Sequence, residues 1–153
     1  MDFKKEIEEE TKGGRSVADQ IRLVDYFYIE TSDKPGEGAR ILHHLKDAGV
    51  NLVALHAFPS ARKTQVDFIP ASAADLRAAA KAAKWKVVGP KKALLIEGED
   101  RVGALADYFS KLGDAKINVT ASTAIAAGAG RFGAILWVQP RDVRRAAKAL
   151  GAG

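Results

Sequence analysis

The chain has no cysteine and no run of about 20 apolar residues, the length that a membrane-spanning helix needs. Without cysteine there is neither a disulfide framework nor a thiolate metal site. Residues 1–11 are charged where a secretory signal would carry an apolar stretch. We therefore expect a cytoplasmic protein that does not enter a membrane.

The sequence also lacks the side-chain patterns that mark catalytic and metal sites. His43 and His44 are adjacent in a predicted helix, so they point in different directions and do not form a metal-binding pair. His56 lies among apolar residues of a predicted strand, which favours a core or interface position. No serine or threonine stands in a Ser-His-Asp pattern. We therefore predict no catalytic residues, no metal and no cofactor.

What the chain does have is a repeat. Residues 33–36 read Asp-Lys-Pro-Gly and residues 100–103 read Asp-Arg-Val-Gly, 67 positions later. The same offset relates Asn51 to Asn118, and it persists through the helical stretch that follows each asparagine. A register kept over that distance indicates one structural unit used twice.

Each copy shows the pattern β-α-β-β-α-β. In the first copy we predict strands at 23–31, 52–58, 64–69 and 85–88, and helices at 37–48 and 72–83. Gly89 and Pro90 form the predicted linker, and the second copy ends before its fourth strand. The predicted fold is therefore α+β, with two ferredoxin-like βαββαβ modules in tandem, the second lacking its fourth strand. The predicted division is a polar N-terminal arm at 1–22, module 1 at 23–89 and module 2 at 91–153.

The missing fourth strand has a consequence for the strand around residues 94–96. One edge of that apolar strand would be unpaired, and an exposed apolar edge promotes aggregation. We expect the edge to be covered by residues 17–22 or by a partner chain.

The repeated turn suits a small zwitterion. Its glycine lets the backbone approach a ligand closely, and the first turn of the following helix offers free N–H groups to a carboxylate. The aspartate can accept from an ammonium, and the asparagine can both donate and accept. The same turn is also simply a good strand-to-helix connection, and for either copy alone this structural explanation comes ahead of binding; the two copies together favour binding by at least one.

The two turns, each with its asparagine, resemble those of the ACT domain, a small regulatory amino-acid-binding module. The resemblance covers about residues 23–153. It implies paired modules, within a chain or across a homodimer, with an amino acid held between the turn of one module and the second strand of its neighbour. The ligand-binding residues that it implies are Asp33, Lys34, Pro35, Gly36, Glu37, Gly38, Asn51 and Leu52, and Asp100, Arg101, Val102, Gly103, Ala104, Asn118 and Val119. Val102 stands where the first copy has proline, so the second turn is less preorganised.

The leading interpretation is a non-catalytic regulatory protein that binds an amino acid and acts on a protein partner. Two alternatives stay open. One is a protein-interaction or transcription-regulator partner that binds no ligand. The other is a nucleic-acid-binding module, which the net charge of +5 would suit. The third strands lack the aromatic and basic interleaving of an RNA-binding sheet, so nucleic acid is not the expected partner.

Overall fold

The computed structural model describes residues 18–152, which form one six-stranded antiparallel sheet and four α-helices. The strands are β1 (Gln20–Ser32), β2 (Leu52–Ser60), β3 (Lys63–Pro70), β4 (Val88–Glu99), β5 (Val119–Gly128) and β6 (Arg131–Val138). The helices are α1 (Glu37–Asp47), α2 (Ala73–Ala82), α3 (Ala106–Asp114) and α4 (Val143–Leu150), the last preceded by a 3₁₀ turn at Pro140–Asp142.

The sheet order is β2-β3-β1-β4-β6-β5, so the two halves of the chain have the same strand arrangement and meet at β1 and β4. β1 is long enough to serve both halves. Its residues 27–32 pair with β3, and its residues 20–26 pair with residues 91–97 of β4.

The helices of both halves cover the same face of the sheet. Phe27 and Ile29 of β1 lie in the core under α1 and α2, whereas Ile21 and Leu23 pack into the core under α3 and α4. These four residues alternate with outward positions of one strand, so they share a face. A third, smaller core lies on the opposite face, which carries no helix.

The register of the strands reproduces the sequence repeat. In the first half Asp67 pairs with Tyr28 on one side and His56 on the other. In the second half Ile135 pairs with Leu95 and Thr123, the residues 67 positions after Tyr28 and His56. At the seam between the halves, Asp25 pairs with Lys92, again 67 positions later. The halves are therefore related by an approximate two-fold axis through that pair.

The helix-free face is concave. β2 and β5 are the two outer strands of the sheet, yet His56 Nδ1 and Thr123 Oγ1 lie 3.1 Å apart. The His56 ring also lies 5.2 Å from that of Trp137 in β6. The sheet therefore curls until its edges touch, and this contact separates two grooves on the concave face.

The predicted fourth strand of the first copy is wrong. Residues 85–87 have no strand pairing, and only Val88 pairs with Tyr28. Trp85 and Val87 instead pack against the core under α1 and α2. The position beside β1 is taken by β4, which also runs through the predicted linker at Gly89 and Pro90.

Several other predictions agree with the structure. The edge of the strand around residues 94–96 is covered by this chain, because residues 20–22 pair with it. Helix α1 has almost its predicted bounds, and the Ser72 side chain caps α2 by accepting from Asp75 N–H at 3.2 Å. Residues 1–17 of the predicted arm lie outside the described residues. Within residues 18–152, no helix is long and apolar enough to cross a membrane.

Candidate functional site

The first repeated turn leads from β1 into α1 with Gly36 at φ 91°, a left-handed conformation that glycine adopts without strain. Asp33 accepts a hydrogen bond from Thr64 Oγ1 at 3.1 Å, which ties the turn to β3. Beside the turn is a notch of about 120 Å³, bounded by the turn, α1 and β2. We call it notch 1; its polar lining residues include Thr31, Asp33, Lys34 and Glu37.

Glu37 dominates the electrostatics of notch 1. Its carboxylate accepts from Arg40 at 3.0 Å and 3.2 Å and from Thr31 Oγ1 at 2.5 Å. The Arg40 guanidinium and the Thr31 hydroxyl lower the pKa of Glu37 from 4.5 to about 2. A negative charge therefore already sits at the positive end of the α1 dipole. With Asp33 beside it, this end of notch 1 favours an ammonium group over the carboxylate that the turn alone suggested.

The second turn borders a notch at the position equivalent to that of notch 1. Notch 2, of about 320 Å³, is lined by Asp100, Gly103, Ala104 and Leu105 together with β5. Ala104 holds the position of Glu37, so the second notch has lost that charge. Helix α3 does not begin until Ala106, two residues later than the repeat predicts.

Arg101 in the second turn is held by the chain itself. Its guanidinium donates to the Asp19 carboxylate at 2.9 Å and 3.3 Å and to the Glu99 carbonyl at 2.9 Å. Tyr108 OH also donates to Asp19. The Arg101 hydrogen bond is the largest cause that lowers the pKa of Asp19. Arg101 therefore has a structural partner where the resemblance implied a ligand.

The two asparagines do not lie beside the turn of their own copy. Register places Ser32 and Ser60 at one end of the first half, both opposite Lys63, while Leu52 pairs with Pro70 at the other end. Asn51 directly precedes Leu52, so it lies at the end away from Asp33. Asn118, just before β5, has the same relation to Asp100 because Glu99 and Gly128 both pair with Arg131.

Neither Asn51 nor Asn118 is among the described residues that line the two notches. Four other residues implied by the resemblance fall into two groups, exposed turn residues and half-buried strand residues. Pro35 and Val102 are exposed in the turns, whereas Leu52 and Val119 are half-buried and pack into the helix-side cores.

Sequence reasoning missed a second candidate site on the helix-free face. A groove of about 660 Å³ lies there between the two halves, and we call it the aromatic groove. Its aromatic lining consists of Tyr26, His56, Phe58 and Trp137. The Trp137 ring meets the Tyr26 ring edge-on at 6.2 Å, and the His56 and Phe58 rings lie 5.3 Å apart.

Two polar groups are buried in the aromatic groove. Asp67 is 5% exposed and accepts from Gln65 Nε2 at 2.9 Å. Burial raises the pKa of Asp67, against the lowering effects of the Gln65 hydrogen bond and of nearby His56 and Lys91. Trp137 is 7% exposed, and its Nε1 has no hydrogen-bond partner among the described residues. Asp67 alternates with Val66 and Phe68 in β3 as Gln65 does, the pattern of a solvent-facing position, so no sequence signal marked this site.

Acidic and histidine side chains do not gather into a metal site anywhere in residues 18–152. The chemistry available at the notches and at the aromatic groove is therefore that of charge pairing, hydrogen bonding and ring contacts.

Comparison with known proteins gives the fold. No protein-family model and no curated protein sequence matches the chain. Among solved structures, a protein from Bacteroides thetaiotaomicron matches with a TM-score of 0.73 at 17% identity, over 86% of this chain and 88% of that one. The ligand-free regulatory subunit of aspartate kinase from Thermus thermophilus matches with a TM-score of 0.61 at 15% identity, over 90% of this chain and 97% of that one. The regulatory subunit of aspartate kinase from Thermus flavus matches with a TM-score of 0.59 at 14% identity, over 89% of this chain and 95% of that one. The chain therefore has an ACT-like α+β fold, similar to that of aspartate kinase regulatory subunits.

Proposed function

We propose that the protein is a non-catalytic regulatory protein that binds an amino acid at notch 1 and passes the signal to a protein partner. Residues 23–89 and 91–153 would act as its two ACT-like modules. The ACT-like fold supports this proposal, as do the regulatory subunits among the similar structures. Fold alone does not determine function, which depends on the residues of the site.

The observation that carries the proposal is the charge arrangement in notch 1. Asp33 supplies a carboxylate for the ammonium of an amino acid, Glu37 lies beside it already paired with Arg40, and Lys34 supplies a cation for the ligand carboxylate. Leu55 and Ile41 line the same notch and offer apolar contact to a side chain. Notch 2 retains Asp100 but has neither the second carboxylate nor a free cation in the turn, because Arg101 binds Asp19. We therefore assign binding to the first copy.

A second copy of the chain would complete notch 1. At about 120 Å³ the notch is small, and it opens beside β2, an outer strand of the sheet. Leu42, Val53 and Leu55 are exposed along this edge at 40%, 38% and 43%. A homodimer that covered these side chains would enclose the ligand and bury apolar surface. A ligand that binds the dimer more tightly than the monomer would shift the population toward the dimer.

The test is calorimetric titration of the protein with each of the twenty amino acids, together with a measurement of molecular mass by light scattering. Asp33→Asn removes one carboxylate from notch 1 and should weaken binding about tenfold, the usual effect of losing a charged hydrogen-bond partner. Asp47→Asn changes an exposed aspartate at the other end of α1 and should leave binding unchanged. No binding of any amino acid would contradict the proposal.

The ligand-free protein-interaction alternative has some support in the exposed apolar residues Val102 and Ile125, which are 105% and 67% exposed. It predicts the same partner in a pull-down from native extract whether or not amino acids are present. Nucleic-acid binding on the helix-free face is disfavoured, because the contact between His56 and Thr123 closes that face to an extended strand.

A further inference from the structure

The concave face carries two grooves at equivalent positions of the repeat. The aromatic groove lies on one side of the contact between His56 and Thr123. A second groove, of about 730 Å³, lies on the other side and is lined by Leu55, Leu95 and Ile135 among others. Because the approximate two-fold axis relates the two grooves, residues that line the aromatic groove can be compared with their counterparts in the other half.

The counterparts differ sharply in chemistry. Asp67 corresponds to Ile135, since both occupy the same place between their strand neighbours. Trp137 corresponds to Ile69, since Trp137 pairs with Ala121 and Ile69 with Ala54, two alanines 67 positions apart. The same backbone framework therefore accepts isoleucine at both positions. Folding does not require the buried carboxylate or the indole N–H of the aromatic groove.

Both groups are costly to bury. A carboxylate is destabilised when it leaves water unless it is paired with a cation, and a buried N–H without an acceptor forfeits a hydrogen bond that it makes in the unfolded chain. Among the described residues, Asp67 has only the Gln65 amide as a donor and Trp137 Nε1 has no acceptor. Such groups, in a groove lined by aromatic rings, are typical of a site that a ligand completes.

We propose that the aromatic groove is a second binding site, selective for a zwitterion with an aromatic ring, such as an aromatic amino acid. The ammonium pairs with the Asp67 carboxylate among aromatic rings, which themselves attract a cation. The ligand carboxylate meets the cations at the rim of the groove, Lys91 and Arg144. The ligand ring packs against Phe58 and Trp137. This site is separate from notch 1 and does not depend on ligand binding there.

The aromatic groove also explains how binding could be sensed. His56, Phe58 and Asp67 belong to the first half of the chain, whereas Trp137 and Arg144 belong to the second. A ligand there contacts both halves and stabilises the curled arrangement of the sheet over any more open one, in proportion to its difference in affinity.

The chain offers a direct optical test, because it has only two tryptophans. In the variant Trp85→Phe, Trp137 is the sole indole. The probes are L-phenylalanine, 2-phenylethylamine, which lacks the carboxylate, and 3-phenylpropionate, which lacks the ammonium. Binding of L-phenylalanine should change the fluorescence of Trp137, and each of the other two probes should bind at least about tenfold more weakly.

Asp67→Asn in the same background keeps the side-chain shape and should lower the affinity for L-phenylalanine by about tenfold or more. Asp33→Asn, in notch 1, is the matched control and should leave the fluorescence titration unchanged. Thermal unfolding followed by circular dichroism establishes that both variants fold.

The outcomes separate the two sites. A fluorescence change that Asp67→Asn weakens and Asp33→Asn does not supports the aromatic groove, whatever happens at notch 1. Calorimetric binding of amino acids that is sensitive to Asp33→Asn, with no change in Trp137 fluorescence, supports notch 1 and overturns the aromatic groove. A titration that Asp67→Asn leaves unaltered, or equal affinity for all three probes, also overturns it.

Discussion

Lys34 and Arg101 hold the same position in the two repeated turns, yet their surroundings differ. Arg101 is held by Asp19, a residue that precedes β1. Lys34 is exposed beside Glu37, whose charge it helps to stabilise. The repeat alone could predict that the two turns exist and where they lie. It could not predict which cation an internal carboxylate would engage, because Asp19 lies outside the repeated motif.

Glu37 should give the protein an acid-sensitive component of stability. Its pKa is about 2 in the folded state, below the ordinary 4.5, so its stabilising effect is complete above about pH 4.5 and is lost as the pH falls toward 2. The stability difference between the wild type and Glu37→Gln should therefore shrink over that range. Urea unfolding at a series of pH values measures it.

Thr31→Val is the matched variant, since it keeps the Glu37 carboxylate but removes the hydroxyl that donates to it. Without that hydroxyl the pKa of Glu37 in the folded protein should rise toward 4.5. The acid-dependent loss of stability should then occupy a narrower pH range below 4.5. A difference between wild type and Glu37→Gln that stayed constant from pH 5 to pH 2 would contradict the assigned pKa.

The secondary elements were predictable where local signals agree. Helix α2 has both a serine cap and an apolar stripe that includes Leu76 and Ala79, and both features are present in the structure. A short fourth strand was predicted at residues 85–88. Trp85 and Val87 instead pack against the helix-side core without strand pairing. Sequence could not decide between the two because the place beside β1 is taken by β4, a pairing that depends on tertiary context.

Asp19, just before β1, packs tightly against β4, and this contact can be tested at Gly98. A Cβ at this position would lie 1.9 Å from Asp19 Oδ1 and 2.8 Å from Phe132 Cε1. Gly98→Ala should lower the free energy of unfolding by about 1–3 kcal/mol, because overpacking displaces both neighbours. Gly133→Ala in the adjacent strand is the control, since its nearest neighbour would be 3.9 Å away. Equal losses in the two variants would argue against this contact.

At the scale of the whole molecule, the aromatic groove lay beyond prediction. Tyr26, Asp67 and Trp137 are far apart in sequence, and each is unremarkable in its own strand. They become neighbours because β1 joins the two halves and the sheet then curls across the seam. Curvature of this kind depends on the summed twist of six strands, which no local pattern reports.

One continuous sheet should unfold as one unit. Trp85 lies in the helix-side core of the first half, and Trp137 lies in β6 of the second. Urea transitions followed by fluorescence in Trp137→Phe and in Trp85→Phe therefore each report on one half. Each should coincide with the transition that circular dichroism gives for the same variant, because β1 belongs to both cores. A variant in which the fluorescence and circular dichroism transitions separated would show that the halves unfold independently.

The ion pair between Asp25 and Lys92, 2.6 Å long, lies on the approximate two-fold axis. In a duplicated chain, a strand of one molecule can also pair with the equivalent strand of another molecule. Two copies of β1 joined about this axis would set aspartate against aspartate, and two copies of β4 would set lysine against lysine. Like charges directly opposite each other destabilise a strand pair. The opposite charges at this position therefore favour pairing of β1 with β4 of the same chain. They disfavour pairing of β1 or β4 with the identical strand of a second chain.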